Sequence, residues 1–469
     1  MTTGPAPATV SGRISGLART GENGRPHNGH PHGAPQAAAP SKVPHLRTRY
    51  AHCEPEVWTH RMLAALDTGV KGGKWHNLID KVFRLSVLEE AFAQVKANGG
   101  AAGVDHVTVA HFEDRLDVHL NGLHEALRSG TYRPQRIRRH YIAKAGSSEK
   151  RPLGIPTVRD RVVQTALRMV IEPIFEKEFA ERSYGFRPKR GCKDALRRVD
   201  ELLKAGYVHI VDADLKSYFD TIPQKRLMAH VAKRISDGAV LSLIESFLHQ
   251  EVLDGAASWT PEAGTPQGAV ISPLLSNIYL DPLDHLMARR GFEMVRYADD
   301  FVVMCQNPQD AAAALDVVRD WTAQAGLALH PDKTRLVDER IEGFEFLGYR
   351  FVKHRRWPRK TSMAKFRDAI RAKTRRTAGT GLKAIIAGIN RVARGWIENF
   401  KHSHTTAFPD ADGFIRRRLR SILRKQTNRY GSSKACGADH TRWPNAYFDS
   451  NGLFNLTTAH QLAKQSLPR

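Results

Sequence analysis

The chain has 469 residues, with 72 lysines and arginines against 48 aspartates and glutamates, a formal net charge of +24. This length allows two or three domains with sizeable cores. No apolar run is long enough to predict a membrane span, and the N-terminus lacks the hydrophobic stretch of a secretion signal. The cysteines are far apart and form no Cys-x-x-Cys pair, which argues against a disulfide framework and a four-thiolate zinc site. They are Cys53, Cys192, Cys305 and Cys436. We therefore expect a cytoplasmic protein.

The positive charge is concentrated near the C-terminus. Residues 351–469 contain 26 basic and 6 acidic residues, a net charge of +20, whereas residues 51–350 contain 40 basic and 41 acidic residues. A region this basic attracts polyanions by counterion release, so its affinity for them falls steeply as salt rises. A solvated surface or a contact with an anionic membrane would also fit. We favour nucleic acid as the partner, and no membrane.

The N-terminal third begins with a segment that is unsuited to folding. Residues 1–45 are rich in Gly, Pro, Ala and His and have few large apolar residues, which predicts a disordered tail. From residue 58 to residue 130 the pattern is mainly helical. One helix is predicted to end at Gly99. Its apolar stripe consists of Leu85, Leu88, Ala91, Phe92 and Val95.

The middle of the chain, residues 131–351, mixes strands with helices. Residues 208–215 and 294–305 are predicted strands, and two adjacent acidic residues interrupt the second. Asn307 is expected to cap a helix that has Pro308 in its first turn and stops at Gly326.

Beyond Lys353 the pattern is helical throughout. One helix carries an apolar stripe over four turns, made of Leu382, Ile385, Ile386, Ile389, Ala393 and Trp396. In the next helix Ile415, Leu419 and Ile422 form the predicted buried face. Arginines cover its other faces, at positions Arg416, Arg417, Arg420 and Arg424. A helix of this kind can pack on a domain while its arginines contact phosphates.

Three carboxylates are the candidate catalytic residues. Asp214 ends the first predicted strand, and Asp299 and Asp300 interrupt the second, flanked on both sides by apolar residues. Like charges held together raise each other's pKa unless a cation lies between them, and Mg²⁺ takes carboxylate and phosphate oxygens. Two such ions, roughly 4 Å apart, can activate a hydroxyl and stabilise a leaving pyrophosphate. The alternative for an isolated Asp-Asp pair is an exposed acidic turn.

The surroundings of these acids resemble reverse transcriptases in order and spacing. Tyr297-Ala298-Asp299-Asp300 is similar to the catalytic hairpin of that family, and Asp214 with Lys216-Ser217-Tyr218-Phe219-Asp220 is similar to its first aspartate motif. The resemblance implies that Asp214, Asp299 and Asp300 are catalytic and hold two Mg²⁺ ions. It implies that Asp214 and Asp299 are the principal ligands, with the Leu215 carbonyl as a possible further oxygen.

Further motifs resemble the nucleotide-binding blocks of the family. Gly264-Thr265-Pro266-Gln267-Gly268 is similar to the fourth block, where the glutamine lines the nucleotide pocket and the glycines would let template or nucleotide approach the backbone. The aromatic ring of Phe219 stands where the family has a gate that rejects a 2′-hydroxyl; otherwise it is a core residue. Cations near a triphosphate stabilise the charge that develops during transfer. The resemblance assigns nucleotide binding to Lys144, Arg151, Phe219, Gln267 and Lys333.

The C-terminal region indicates the subfamily. The stretch from Asn390 to Trp396 resembles the thumb, or X domain, of group II intron maturases, and Trp443-Pro444-Asn445-Ala446-Tyr447-Phe448 resembles their C-terminal stretch. Such proteins bind group II intron RNA, assist its splicing and copy it into DNA from deoxynucleoside triphosphates, using a DNA primer at a DNA target. The charge pattern and this resemblance assign RNA binding to Arg394, Arg416, Arg417, Arg420 and Arg424.

The resemblance implies an α+β fold, with the fingers and palm of a right-hand polymerase followed by an all-helical thumb that is also the maturase X domain. The expected parts are a disordered tail (1–45), a helical extension of the fingers (58–130), fingers and palm (131–351), a thumb (355–435) and a C-terminal maturase tail (436–469). The chain has no paired cysteines of a zinc-stabilised endonuclease domain. We therefore expect no second-strand cleavage, and insertion that uses another primer, such as a nascent strand at a replication fork.

Three alternatives remain open at this point. The chain could be a reverse transcriptase of a retron, a diversity-generating element or a CRISPR-associated system. It could be an RNA-binding splicing maturase whose polymerase is silent, although the three aspartates count against this. A basic structural protein would not need the ordered series of motifs.

Overall fold

The computed structural model describes residues 43–143, 150–376, 379–427 and 436–465. The helices of the N-terminal and middle parts are α1 (Val43–Arg49), α2 (His60–Thr68), α3 (Ile79–Val82), α4 (Leu85–Asn98), α5 (Val109–Glu113), α6 (Leu116–Arg128), α7 (Val158–Glu176), α8 (Cys192–Lys204), α9 (Tyr218–Thr221), α10 (Gln224–Val231), α11 (Gly238–Leu248), α12 (Ser272–Arg289) and α13 (Pro308–Gln324), with a 3₁₀ turn at Lys71–Gly73. Those that follow are α14 (Lys360–Lys373), α15 (Leu382–Phe400), α16 (Ala407–Gln426), α17 (Cys436–Arg442), α18 (Asn445–Ser450) and α19 (Leu456–Gln465).

The strands form three sheets. They are β1 (Ile137–Ala143), β2 (Lys150–Ile155), β3 (His209–Asp214), β4 (Val252–Asp254), β5 (Ala257–Trp259), β6 (Glu293–Tyr297), β7 (Asp300–Cys305), β8 (Arg335–Asp338), β9 (Phe344–Phe346), β10 (Tyr349–Val352) and β11 (Arg355–Pro358). The first sheet has the order β2-β1-β4-β5, the second β6-β7-β3-β8 and the third β11-β10-β9. The mixture of helices and sheets, followed by helices alone after β11, is the α+β fold that the sequence predicted.

The N-terminal helices follow the predicted pattern with two differences. Residues 1–42 of the predicted tail lie outside the described residues, and Val43 already begins α1. α4 ends where Gly99 adopts a φ of +63°, a conformation that glycine permits without strain. Leu85, predicted on the buried stripe of α4, is 36% exposed because it starts the helix, and Val87 is buried instead.

The second sheet lies between two apolar layers. β6, β7, β3 and β8 pair in antiparallel fashion, and successive side chains of β3 alternate between its faces. Val211 and Ala213 belong to the large core that includes α7, α12 and α13, whereas Ile210 packs in a smaller core with α8 and the third sheet. The predicted second strand is a hairpin, β6–β7, whose turn contains the two acidic residues. Asn307 caps α13, because its side chain accepts a hydrogen bond from the Asp310 amide.

The prediction that the chain becomes all-helical beyond Lys353 is wrong. β11 follows this point and pairs with β10, from Tyr349 opposite Pro358 to Val352 opposite Arg355. Lys353 and His354 form the two-residue turn between these strands and both have positive φ, 52° and 56°. A turn with two positive φ angles matches the twist of paired strands. The sequence has neither Asn nor Gly there, so the hairpin gave no turn signal.

After β11 the described chain is helical and has its own core. The stripe of α15 is buried from Ile385 to Trp396, and Ile415, Leu419 and Ile422 are the buried face of α16, as predicted. Asp412 is buried and accepts hydrogen bonds from the amides of Leu456 and Thr457, so it caps α19 from the neighbouring helix. None of the described helices is long and apolar enough to cross a membrane.

Candidate active site

Strand pairing brings the three predicted catalytic aspartates together. Asp214, the last residue of β3, is directly opposite Asp300, the first residue of β7. Asp299 lies in the turn before Asp300, where Ala298 has a φ of +59°. Paired residues of an antiparallel sheet share a face, so Asp214 and Asp300 lie on the same side of the sheet.

A cleft of about 810 Å³ opens above Asp214 and Asp299. Most of the residues predicted for metal or nucleotide binding line it, namely Arg151, Asp214, Leu215, Phe219, Gln267, Asp299 and Lys333. Asp300 does not line it. Lys144 lies outside the described residues.

The electrostatics of the cleft favour a cation. Burial raises the pKa of Asp299, and the neighbouring Asp214 raises it further, while Arg151 acts in the opposite direction. Burial also raises the pKa of Asp300, with contributions from Asp299, Asp212 and Asp214, to about 7. The Lys333 ammonium donates to Asp214 Oδ2 at 2.5 Å. The protein itself therefore places one positive charge against these carboxylates.

The donor set fits magnesium, although it does not enclose an ion. Among the described residues no three His, Cys, Asp or Glu side chains form a cluster that could hold a metal ion. Mg²⁺ keeps several waters and is usually held by one or two carboxylates together with substrate phosphates. Asp214 and Asp299 in one open cleft match that pattern.

The wall of the cleft opposite the hairpin is built from α9 and the loop that carries Gln267. Ser217 adopts a left-handed conformation before α9, and the Phe219 carbonyl accepts a hydrogen bond from the Thr265 amide at 2.7 Å. A Cβ added to Gly264 would lie 2.6 Å from the Phe219 carbonyl oxygen. Glycine is required here because two protein segments touch.

The second glycine of this loop has the same function. A Cβ on Gly268 would lie 2.3 Å from the Gly154 carbonyl oxygen, so the loop packs tightly on β2. The sequence prediction attributed these glycines to the approach of template or nucleotide. The structure adds a second reason for them, because both also pack against the protein backbone, while Gly268 lines the catalytic cleft and the approach of template or nucleotide stays a prediction.

The arginines of α16 are not all available for RNA, which corrects the sequence prediction. Arg420 is only 4% exposed, and its guanidinium donates to the Trp443 carbonyl and to Asn445. Arg424 forms an ion pair with Asp439. The apolar stripe could not reveal this, because helices α17 and α18 cover a second face of α16.

The other arginines predicted for RNA binding reach the surface to different degrees. Arg416 is largely buried, with 13% of its side chain exposed, and lies 3.8 Å from Asp449. Arg417 is exposed on α16. Arg394 is exposed on α15, with its guanidinium 4.8 Å from the centroid of the Phe454 ring. Arg417 and Arg394 are therefore the predicted RNA-binding residues that solvent can reach most freely.

Comparisons with known proteins indicate the family of the chain. Residues 142–351 match the family model described as reverse transcriptase (RNA-dependent DNA polymerase), and residues 363–438 match the group II intron maturase-specific domain. Protein YkfC of Escherichia coli (strain K12) is 35% identical over 295 residues, which cover 54% of this chain and 76% of YkfC. The chain belongs to the group II intron-encoded reverse transcriptases. It is a reverse transcriptase with a splicing maturase domain.

Two intron-encoded relatives match shorter parts of the reverse transcriptase. The group II intron-encoded protein LtrA of Lactococcus lactis subsp. cremoris is 37% identical over 216 residues, 44% of this chain and 35% of LtrA. A 91 kDa protein in the cob intron of Schizosaccharomyces pombe is 39% identical over 172 residues, 37% of this chain and 21% of that protein. The reverse transcriptase thus aligns with about a third or less of each of these two relatives.

The sequence analysis missed the residue that supports the hairpin of the reverse transcriptase from below. Arg296 is fully buried and donates to both oxygens of Asp284, to Asn277 Oδ1 and to the Ala298 carbonyl, the last at 2.9 Å. Burial acts to lower the pKa of its guanidinium, but Asp284 more than offsets this, so the pKa is raised. Arg296 therefore stays charged and holds the turn before Asp299.

A second contact fixes the same turn. Asn277 donates to the Gly185 carbonyl at 2.8 Å, and a Cβ on Gly185 would lie 2.2 Å from the Ala298 amide nitrogen. The only signal in the sequence was an arginine within an apolar strand, which is costly to bury without a partner.

Proposed function

We propose that this reverse transcriptase copies group II intron RNA into DNA at the cleft between Asp214 and Asp299. The observation that carries the proposal is the meeting of these two carboxylates, from β3 and from the β6–β7 turn, in one cleft with Arg151, Phe219 and Gln267. Binding of a nucleoside triphosphate requires cationic side chains near its phosphates, a surface that contacts its sugar and carboxylates that hold its metal ions. The cleft has all three.

Two Mg²⁺ ions, when bound, would activate the primer 3′-hydroxyl and stabilise the leaving pyrophosphate. Asp214 and Asp299 would hold them as principal ligands, with Asp300 beside them and the Leu215 carbonyl as a further oxygen ligand. Lys333, which donates to Asp214 and lines the same cleft, would contact the triphosphate. Arg151, which lies on β2 and lines the same cleft, would neutralise the phosphates.

The C-terminal helices are the proposed site for intron RNA, and binding there would assist splicing. The region carries a net charge of +20 over residues 351–469, and its apolar core is built from α14, α15, α16, α18 and α19. Arg417 and Arg394 are the residues that we propose for contacts with phosphates. Affinity should depend strongly on salt, since each neutralised phosphate releases counterions.

The apolar cores do not separate the proposed parts of the polymerase, because one core contains residues from Tyr50 to Leu327 and another contains residues from Phe366 to Leu456. We propose that residues 58–130 extend the fingers, residues 131–351 form fingers and palm, residues 355–435 form the thumb and residues 436–469 the maturase tail. β11 pairs with β10, so residues 355–358 belong structurally to the sheet that precedes the thumb. The DNA primer and the target DNA are further proposed partners.

A splicing maturase with a silent polymerase is the main competing function. It predicts RNA binding without primer extension, whereas the joint placement of Asp214, Asp299 and Arg151 favours an active polymerase. A retron, diversity-generating or CRISPR-associated role is disfavoured by the match of residues 363–438 to the maturase-specific domain.

Primer extension on an RNA template tests the proposal. Replacing Asp299 by Asn removes a metal-binding charge while keeping its shape, and should lower the extension rate by roughly a thousandfold. The control is Asp316→Asn, since Asp316 is an exposed acid on α13, with 70% of its side chain accessible. RNA affinity should be the same for all three proteins. Equally poor extension by wild type and by Asp299→Asn, with tight RNA binding, would favour the silent maturase.

A further inference from the structure

A second cleft, of about 440 Å³, lies next to the catalytic cleft. Phe219, Asp220 and Gln267 line both clefts, so these residues form a thin wall between them. The far side of the second cleft is formed by the first sheet, with Arg139 on β1 and Trp259 on β5. None of the residues proposed for metal binding lines it.

The most prominent group in this second cleft is an indole that is only partly covered. Trp259 is 40% exposed, although it is the largest type of apolar side chain. Its strand is anchored, because Trp259 pairs with the buried Val252 across the β4–β5 hairpin. A flat ring on a fixed strand is a platform on which another flat group can stack.

Arg139 makes the platform cationic. Its guanidinium carbon is 5.2 Å from the centroid of the Trp259 ring. Its buried Nε finds no hydrogen-bond partner among the described residues. These two features suit a nucleotide. Its base can stack beside the guanidinium and the indole, and one of its oxygens can accept a hydrogen bond from Nε.

The acids of the cleft indicate which part of a nucleotide faces inward. Asp220 and Glu262 line it and would repel a phosphate placed between them, whereas they would accept hydrogen bonds from base amino groups or ribose hydroxyls. Burial raises the pKa of Asp220, and Arg139 opposes that effect, so these two groups interact. The base should therefore point into the cleft, with the phosphates outside.

We propose that this cleft, the Trp259 slot, holds the unpaired RNA template base that will be copied after the current one. The inference rests on the proposed polymerase function. A template strand that presents one base to the catalytic cleft continues to a neighbouring nucleotide within a few ångströms, and the Trp259 slot is separated from that cleft only by Phe219, Asp220 and Gln267. Stacking on an aromatic ring tolerates every base, as a template site requires.

Two primer–template pairs measure the contribution of the slot. In one pair the RNA template extends a single nucleotide beyond the primer, and in the other it extends three. The ratio of kcat/KM for the next nucleotide between the long and the short overhang should be roughly tenfold in the wild type, the size expected for one stacked base. Trp259→Ala should bring the ratio close to one, and Trp259→Phe should keep most of it.

An abasic nucleotide at the second overhang position gives an independent test. It should reduce the wild-type ratio as much as Trp259→Ala does, and should cause no further loss in that variant. Val118→Ala is the control, since Val118 is 68% exposed on α6, away from both clefts, and should keep the wild-type ratio. If Trp259→Ala leaves the ratio unchanged, or lowers kcat/KM equally on both overhangs, the slot does not bind the template base.

A binding measurement separates this inference from the polymerase proposal. 2-Aminopurine at the second template position should be quenched on binding to the wild type and less so on binding to Trp259→Ala. If the wild type extends neither template, the polymerase proposal fails, and the quenching still decides whether the base occupies the slot. Equal quenching by both proteins would overturn the inference.

Discussion

The catalytic hairpin and helix α16 both carry charged side chains next to apolar ones, but they support these charges differently. In the hairpin, the buried Arg296 holds the turn from inside so that Asp299 can face the cleft. In α16, Arg420 is buried and Arg424 is paired within the C-terminal core, while Arg417 faces solvent. In the hairpin, Asp299 faces the cleft on a turn that a buried arginine holds. In α16, Arg420 and Arg424 are themselves part of the contacts that stabilise the C-terminal core.

This difference shows what a charge count can and cannot locate. A net charge of +20 over residues 351–469 describes the region as a whole, but individual arginines there have unlike environments. Counterion release depends on the charges that reach the phosphates, so Arg420 should contribute to stability and Arg417 to binding. Replacing the buried Arg296 of the hairpin, the buried Arg420 of α16 and the exposed Arg417 of α16 therefore tests whether buried arginines govern stability and exposed arginines govern RNA binding.

The largest expected effect is that of Arg296→Met. The substitution leaves the Asp284 carboxylate buried without its partner, so the free energy of unfolding should fall by about 3 to 5 kcal/mol. Denaturation in urea, followed by fluorescence, measures this loss.

A double variant separates support of the fold from support of the turn. Arg296→Met combined with Asp284→Leu removes both buried charges and should recover most of the stability. Primer extension should remain low, because the Ala298 carbonyl still lacks its donor and Asp299 is no longer held. Full extension by the double variant would show that Arg296 serves only to neutralise Asp284.

The next effect is expected for Arg420→Met in α16. Its guanidinium donates at 3.0 Å to the Trp443 carbonyl and at 2.8 Å to Asn445 Oδ1. Loss of these charged hydrogen bonds should lower the free energy of unfolding by about 1.5 to 3 kcal/mol. RNA affinity, measured where the variant is folded, should match the wild type. A large loss of affinity in the folded variant would restore Arg420 as an RNA contact.

A smaller effect, on selectivity, is expected at Phe219, whose role depends on shape rather than charge. Phe219→Val opens space beside the sugar and should raise ribonucleotide incorporation relative to deoxynucleotide by roughly tenfold or more. Phe219→Tyr keeps the ring and should retain the wild-type ratio. Single-nucleotide incorporation with each nucleotide measures the two ratios. An unchanged ratio in Phe219→Val would make Phe219 a core residue only.

Motifs with fixed spacing were predicted from the sequence far better than contacts between distant segments. β3, the interrupted strand at Asp299 and the cap at Asn307 depend on local patterns, and the structure has all of them. The hairpin turn at Lys353 carried no glycine or asparagine signal and was missed. The burial of Arg420 depends on α17 and α18, which no pattern within α16 could indicate.

The support of the hairpin was missed for the same reason. Arg296, Asn277 and Gly185 are separated by up to 111 positions and meet only in the folded chain. Asn277 and Gly185 look ordinary in their own segments, and the arginine within an apolar strand does not indicate which residues are its partners. The sequence therefore predicts which residues face the cleft more readily than which residues hold them there.

The smallest effect on stability is expected for Arg417→Gln, and it locates RNA binding most precisely. Arg417 is exposed on α16, so the free energy of unfolding should change by less than about 0.5 kcal/mol. If Arg417 contacts a phosphate, the slope of log affinity against log salt should become shallower by about one. Filter binding of intron RNA over a salt series measures this slope.

An exposed arginine outside the basic region is the matched control for Arg417. Arg128 on α6 has 61% of its side chain exposed and lies in the part of the chain that has almost no net charge. If general attraction to the whole protein governs affinity, Arg128→Gln and Arg417→Gln should weaken RNA binding alike. A change of slope in Arg417→Gln alone would instead place a phosphate on the outer face of α16. The inner face of the same helix, with Arg420, would then hold the domain together without contributing to the salt dependence.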